Sequence, residues 1–271
     1  MQLERNETLT TSDGSSIAFT RPASPKAGVP CIVLIHSLAL DRSIWDGVVA
    51  RLEKDASILT YDCRGHGRSE RRAATFTAEL FARDLAELLD HLGWQRTAVA
   101  GCSMGGCVAL AFGGLYPARA NALGLIDTTA SYDARAAAQF RERAAAARAN
   151  GMAGFVDFQV TRWFSDRFRA SEPESVNQAT RVFLGTDREC YAASCGLLAD
   201  ADLRPYLASF RMPVAIVVGE EDYATPLAMA RQLHEAIPQS TLTVLPGARH
   251  LTPIEHPESI ASELLALLQR V

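Results

Sequence analysis

Short, continuously apolar runs recur along this chain. Cys31-Ile32-Val33-Leu34-Ile35, Ile58-Leu59-Thr60-Tyr61, Ala98-Val99-Ala100, Ala122-Leu123-Gly124-Leu125-Ile126, Val214-Ala215-Ile216-Val217-Val218 and Leu242-Thr243-Val244-Leu245 are mostly β-branched and show no polar alternation. A strand with this pattern is covered on both faces, which predicts a central parallel sheet. The first stretch differs: to about Phe19, polar and apolar positions alternate around Asp13-Gly14, as in a hairpin of edge strands. Amphipathic segments lie between the runs. In Phe81 to Leu92, the positions Phe81, Leu85, Leu88, Leu89 and Leu92 fall at helical spacing.

One interval breaks the alternation. Between Asp127 and about Pro205 no central strand is legible, and the pattern predicts helices over Ala134 to Ala149, Met152 to Phe164, Ser175 to Leu184 and Glu189 to Leu198. The interval is too long for a simple crossover. The expected fold is therefore α/β, a mostly parallel central sheet flanked by helices, with an inserted helical cap. Residues 1–127 and 206–271 are expected to form the core and 128–205 the cap; a long loop carrying surface helices is the plainer alternative. The alanine-rich stretch, with Arg135, Arg141, Arg143 and Arg148 interspersed, reads as a solvated helix rather than an anion-binding surface.

Composition narrows the function classes. The 271 residues are 48% hydrophobic and 21% charged, enough for one α/β domain with a modest insertion. A net charge of −4 with intermixed signs gives no basic stripe, so neither nucleic acid nor a membrane is an expected partner. Cys31, Cys63, Cys102, Cys107, Cys190 and Cys195 form no C-x-x-C pair, and several fall in buried runs, where free thiols act as small hydrophobes in a reducing compartment. The start, Met1-Gln2-Leu3-Glu4-Arg5-Asn6-Glu7, is polar, and no apolar run reaches membrane-spanning length. A soluble cytoplasmic protein is expected. The sequence carries no signature of oligomeric state.

The hexapeptide Gly101-Cys102-Ser103-Met104-Gly105-Gly106 lies between Thr97-Ala98-Val99-Ala100, the end of a strand, and a helix-forming segment expected to stop near Tyr116-Pro117. A strand that turns abruptly into a helix strains the turn residue, and small neighbours on both sides permit it. Ser103 is thus a candidate nucleophile above a helix N-terminus; a helix-capping serine is the bland alternative. A serine hydroxyl needs an imidazole to take its proton and a carboxylate to hold that imidazole. His250 follows the last apolar run, where ligands bind in parallel α/β sheets. His91 and His234 fall on helical patterns and read as surface residues, and His256, before Pro257-Glu258, reads as a capping or solvated residue. Asp222 lies just past Val214 to Val218. Glu220, Glu221 and Asp127 compete with it, and Asp222 is preferred because it gives the chain order serine, acid, histidine.

Acyl chemistry also needs donors aimed at the oxyanion. The amide of Met104 supplies one, and the loop His36-Ser37-Leu38-Ala39 supplies the other through Leu38. His36 reads as a residue that orders this loop by side-chain hydrogen bonds.

Together with Tyr61-Asp62-Cys63-Arg64-Gly65-His66-Gly67-Arg68-Ser69, these residues resemble the α/β-hydrolase superfamily over nearly the whole chain. Within it, His36-Ser37-Leu38, Trp45 and the cap segments Asn150-Gly151-Met152, Arg162-Trp163-Phe164, Thr186-Asp187-Arg188-Glu189-Cys190-Tyr191-Ala192 and Ala201-Asp202-Leu203-Arg204-Pro205 are similar to the 3-oxoadipate enol-lactonases, enzymes of aromatic catabolism. The chain departs from that family at Ala39-Leu40, where glycine and threonine are usual, and at Cys63 and Cys102. The resemblance implies a serine hydrolase, needing no cofactor or metal, that cleaves a small-molecule lactone or carboxylic ester through an acyl-enzyme. Trp163 resembles a cap tryptophan of that family, and either lines the acyl pocket or packs inside the cap. Its neighbour Arg162 is a candidate partner for a substrate carboxylate. The alternatives are a general carboxylesterase, a carbon–carbon hydrolase or perhydrolase on the same triad, and a non-catalytic ligand receptor on the same fold.

Overall fold

The computed structural model describes residues 5–21 and 28–271; the polar start through Glu4 lies outside the described residues. Among the described residues eight strands form one sheet: β1 (Arg5–Thr10), β2 (Ser16–Arg21), β3 (Cys31–Ile35), β4 (Ser57–Tyr61), β5 (Thr97–Cys102), β6 (Ala120–Ile126), β7 (Val214–Gly219) and β8 (Ser240–Leu245), ordered β1-β2-β4-β3-β5-β6-β7-β8. The β1–β2 and β2–β4 pairs are antiparallel, and all others parallel.

The apolar runs of β3 to β7 are buried nearly throughout, and β6 shows what covers them. A Cβ at Gly113 would lie 2.8 Å from Leu123, and one at Gly124 would lie 2.9 Å from Leu264. Neighbouring strand residues point to opposite faces. Helix Met104–Leu115 therefore covers one side of β6 and helix Pro257–Leu268 the other.

Two strands differ from the pattern reading. Only β1 of the hairpin is an edge; β2 lies between β1 and β4 and buries Ile17, Ala18 and Phe19, because Phe19 and Thr20 pair with Tyr61 and Thr60. Conversely β8 ends the sheet, so Leu242 and Val244 are only half-buried although the run reads as central.

From β3 the chain steps outward to β4, returns to β5 beside β3, and then runs outward the other way through β6, β7 and β8. The carboxyl ends of β3 and β5 thus flank the point where strand order reverses, the usual place for a ligand crevice in an open α/β sheet.

Between β6 and β7 lie helices Ala134–Asn150, Val156–Trp163, Asp166–Ser171, Pro173–Leu184, Arg188–Asp200 and Arg204–Leu207. Helix Asp166–Ser171, capped by the Ser165 hydroxyl, is absent from the pattern reading because one and a half turns leave no period to detect. Ala134–Asn150 packs along Arg188–Asp200. The insertion closes at a neck: Ser131 forms a β-bridge with Asp202, and Leu203 N donates to Ala130 O at 2.8 Å. Among the described residues no helix is long and apolar enough to cross a membrane.

Candidate active site

Among the described residues, four that are not glycine have left-handed φ: Ala39 (58°), Ser103 (55°), Asp127 (47°) and Gln239 (62°). The first three follow β3, β5 and β6. Backbone strain of this kind persists only where its surroundings enforce it, and here it gathers along the edge of the sheet that carries the crevice.

Ser103 is forced into the turn by its neighbours. A Cβ at Gly101 would meet Gly105 O at 2.0 Å, and one at Gly105 would meet Ile35 O at 2.2 Å, so strand and helix can approach only with glycine at both positions. Ser103 occupies the N-cap of Met104–Leu115, yet its side chain makes no cap hydrogen bond. Its Oγ lies 2.9 Å from His250 Nε2, while His250 Nδ1 lies 2.8 Å from Asp222 Oδ2. An ionised carboxylate can only accept, so Nδ1–H donates to Asp222, and Nε2 is left to accept from the serine hydroxyl. Asp222 is fixed in turn by the amides of Ala224 (2.7 Å) and Thr225 (3.0 Å) and by the Thr225 hydroxyl (2.8 Å).

The competing acids are otherwise engaged. Asp127 is fully buried, and its oxygens accept from Gly219 N (3.0 Å), Thr252 N (3.1 Å) and the Thr252 hydroxyl (2.6 Å). Burial, then the neighbouring Asp222 charge, pushes its pKa well above the usual carboxylate range. Glu220 accepts from Gly247 N and Glu221 faces Arg249, both at the surface. Cys102, beside Ser103, is held as a thiol by burial and then by the Asp127 and Asp222 charges.

His36 is buried, and its Nε2 accepts from Cys63 N at 2.8 Å while Nδ1–H donates to Ser37 O at 2.7 Å. It ties the loop after β3 to the one after β4. His91 and His234 are exposed. His256 is half-buried at the N-cap of Pro257–Leu268, where its side chain forms no cap bond.

Above the serine lies a cavity of about 480 Å³. Ser37, Leu38, Ser103 and His250 form its floor, and residues of the helical insertion line its walls. Met104 opens the helix below, where the first amides have no intrahelical acceptor. Trp163 is 4% exposed, lines the cavity and also meets Phe183 edge-on at 5.4 Å. Arg162 lines the cavity, stacks on Phe158 and donates from Nη2 to Tyr223 O at 2.6 Å.

The alanine-rich helix is solvated along Arg135, Arg141 and Arg148, and departs from expectation on one face. Ala136, Gln139, Phe140, Arg143 and Ala146 face the cavity, and Arg143 Nε is buried without a hydrogen-bond partner among the described residues. Their spacing of three and four is itself a helical face, but alanine and arginine give it no apolar contrast. Desolvation, then the nearby Arg143 cation, holds the Arg162 pKa below the ordinary guanidinium value. Among the described residues no group of three or more His, Cys, Asp or Glu side chains is placed to hold a metal.

Comparison with known proteins agrees with this architecture. A family model described as alpha/beta hydrolase fold matches residues 30–257. The chain is 30% identical to 3-oxoadipate enol-lactonase 2 of Acinetobacter baylyi over 97% of both chains, and 34% identical to 3-oxoadipate enol-lactonase 1 of the same organism over 84% of this chain and 85% of the relative. The crystal structure of the enol-lactonase from Burkholderia xenovorans LB400 superposes with a TM-score of 0.91 at 30% identity, covering 97% of this chain and 100% of that one. With strand order, serine turn and sequence in agreement, the chain belongs to the α/β hydrolase fold family.

Proposed function

We propose that this protein hydrolyses a lactone or small carboxylic ester, with the enol-lactone of 3-oxoadipate as the leading substrate. The observation that carries the reading is the relay in which His250 bridges Ser103 and Asp222 at the floor of the cavity. Ser103 attacks the carbonyl carbon as His250 takes its proton, Asp222 stabilises the imidazolium, and the amides of Leu38 and Met104 hold the oxyanion. Collapse breaks the carbonyl carbon–oxygen bond and leaves an acyl-enzyme, with the proton returned from His250 to the departing oxygen. In an enol-lactone that oxygen stays tethered as an enol, which becomes a ketone. His250 then deprotonates a water that releases the acid. No step calls for a cofactor.

The substrate assignment is supported by the enol-lactonase relatives and by the insertion, residues 128–205, which we take as the cap that selects the substrate. Arg162 and Arg143 both face the cavity, where burial and then the Arg143 cation disfavour the charge of Arg162, and a carboxylate between them would relieve that conflict; Glu142 lies nearby on the same wall. The six cysteines are unpaired, which supports the reducing cytoplasm as its compartment.

The test is turnover of the 3-oxoadipate enol-lactone and a series of p-nitrophenyl esters by wild type and Ser103→Ala. Ser103→Ala is expected to fold and to lose on the order of 10⁴-fold or more in kcat. Retained activity overturns the nucleophile. Good ester turnover without lactone turnover makes the protein a general carboxylesterase, and binding without turnover makes it a receptor.

A further inference from the structure

The residues on either side of His250 both reach into the insertion and grip the same turn of it. Arg249, with its side chain 8% exposed, pairs through Nη1 with Asp166 at 3.0 Å. The same nitrogen donates to the carbonyls of Thr161 (2.8 Å) and Phe164 (3.0 Å). Leu251 N donates to Trp163 O at 3.1 Å. These carbonyls stand at the end of helix Val156–Trp163, where the helix has no donors of its own and where a cation suits its negative pole. Arg249 Nε lies 3.5 Å from Glu221, and its guanidinium stacks over Tyr223 at 5.1 Å. Tyr223 follows Asp222, and its carbonyl accepts from Arg162. Glu255 accepts from both Arg249 N (3.2 Å) and Ser165 N (3.3 Å). The loop of the base, the loop of the acid and one cap turn therefore converge on a single guanidinium.

We propose that Arg249 is a positioning residue that holds the His250 imidazole and the cap turn Thr161–Ser165 as one unit, so that the cap wall and the catalytic base cannot move independently. The inference rests on the hydrolase reading and adds the residue through which cap position reaches kcat. Methionine matches much of the stem but supplies no donors, and lysine keeps the charge and one donor nitrogen without the planar group that also faces Glu221 and stacks on Tyr223.

The experiment compares wild type, Arg249→Met and Arg249→Lys on p-nitrophenyl acetate, whose acyl group offers the cap wall nothing to hold. Arg249→Met is expected to lower kcat about 10- to 100-fold, since small misplacements of a reacting group cost this much. KM should stay within about twofold and Arg249→Lys should recover part of the loss, because an ammonium can serve acceptors of Nη1 but cannot at the same time face Glu221 and stack on Tyr223. A residue that merely braced the cap would leave kcat on this ester unchanged. Amide hydrogen exchange gives a second readout: residues 161–165 and 249–252 should lose protection together in Arg249→Met. Unchanged kcat, or exchange that rises in only one segment, overturns the proposal. If Arg249→Met does not fold, Arg249→Lys carries both readouts, and wild-type kcat in it is the contrary result. Wild type that fails to cleave the acetate through Ser103 counts against the hydrolase reading instead, and the exchange measurement still decides on Arg249.

Discussion

Asp127 and Asp222 stand at the carboxyl ends of adjacent strands, both buried, yet only Asp222 turns its carboxylate to the imidazole. The difference lies in the backbone: Asp127 is held in a left-handed conformation that aims its oxygens at Gly219 and Thr252, tying β7 to the loop of His250. The two residues should therefore fail differently. Asp222→Asn leaves His250 in the wrong tautomer, and kcat is expected to fall about 10⁴-fold with little loss of stability. Asp127→Asn offers one acceptor oxygen where two are used, and the amide left without a partner costs about 1–3 kcal/mol of stability. Steady-state kinetics beside thermal melts on the two variants checks this, and a larger kcat loss in Asp127→Asn would reverse the assignment of the acid. This choice was only half legible in the sequence. A place just past a central apolar run marks both aspartates, the order serine, acid, histidine is met by either, and nothing in the residues around Asp127 announces its φ.

The strands and the turn at Ser103 were legible because double burial and close approach write themselves into residue type: β-branched runs in one case, glycines at fixed offsets in the other. Gly105→Ala is thus expected to push strand and helix apart, costing about 3 kcal/mol or more and lowering Tm by roughly 5–10 °C in calorimetry. A melt within a degree of wild type would show that the turn relaxes freely. The cavity face of Ala134–Asn150 was illegible for the opposite reason. Alanine lies on that face as Ala136 and Ala146 and on the helix's buried side as Ala137, Ala144 and Ala147, so neither side differs enough from its neighbours to mark an inside. That face carries Arg143, and the substitution Arg143→Gln is expected to raise KM for carboxylate-bearing esters about tenfold or more, while leaving neutral esters of the same size nearly unchanged. Equal effects on both would remove charge recognition from its role. Arg249 was illegible for a third reason: its partners are carbonyls, and a carbonyl has no letter in a sequence.

At the scale of the whole molecule, two buried imidazoles bind the fold to pH. Burial, then the neighbouring His36, holds the His66 pKa down to about 3, and burial lowers His36 as well. The unfolded chain takes up a proton near the ordinary histidine value of about 6.5, so below that pH it binds protons the folded state refuses. The stabilisation is fully present above pH of about 6.5 and is lost as pH falls toward the folded value, by up to about 1.4 kcal/mol per unit for each group. Tm should accordingly drop more steeply between pH 6.5 and 4 in wild type than in His66→Gln; parallel curves would show that His66 does not contribute. The neck at Ser131 and Asp202 has a consequence of another kind. A segment that leaves and re-enters at one bridged point can be exchanged by recombination or grafting without rethreading the sheet. On the proposed reading, in which the insertion selects the substrate, substrate range and reaction chemistry can then be inherited separately. The restriction lies opposite the neck: a transplanted segment must present helix-end carbonyls to Arg249 and Leu251, and a donor lacking them would bring a new pocket to a loosened base.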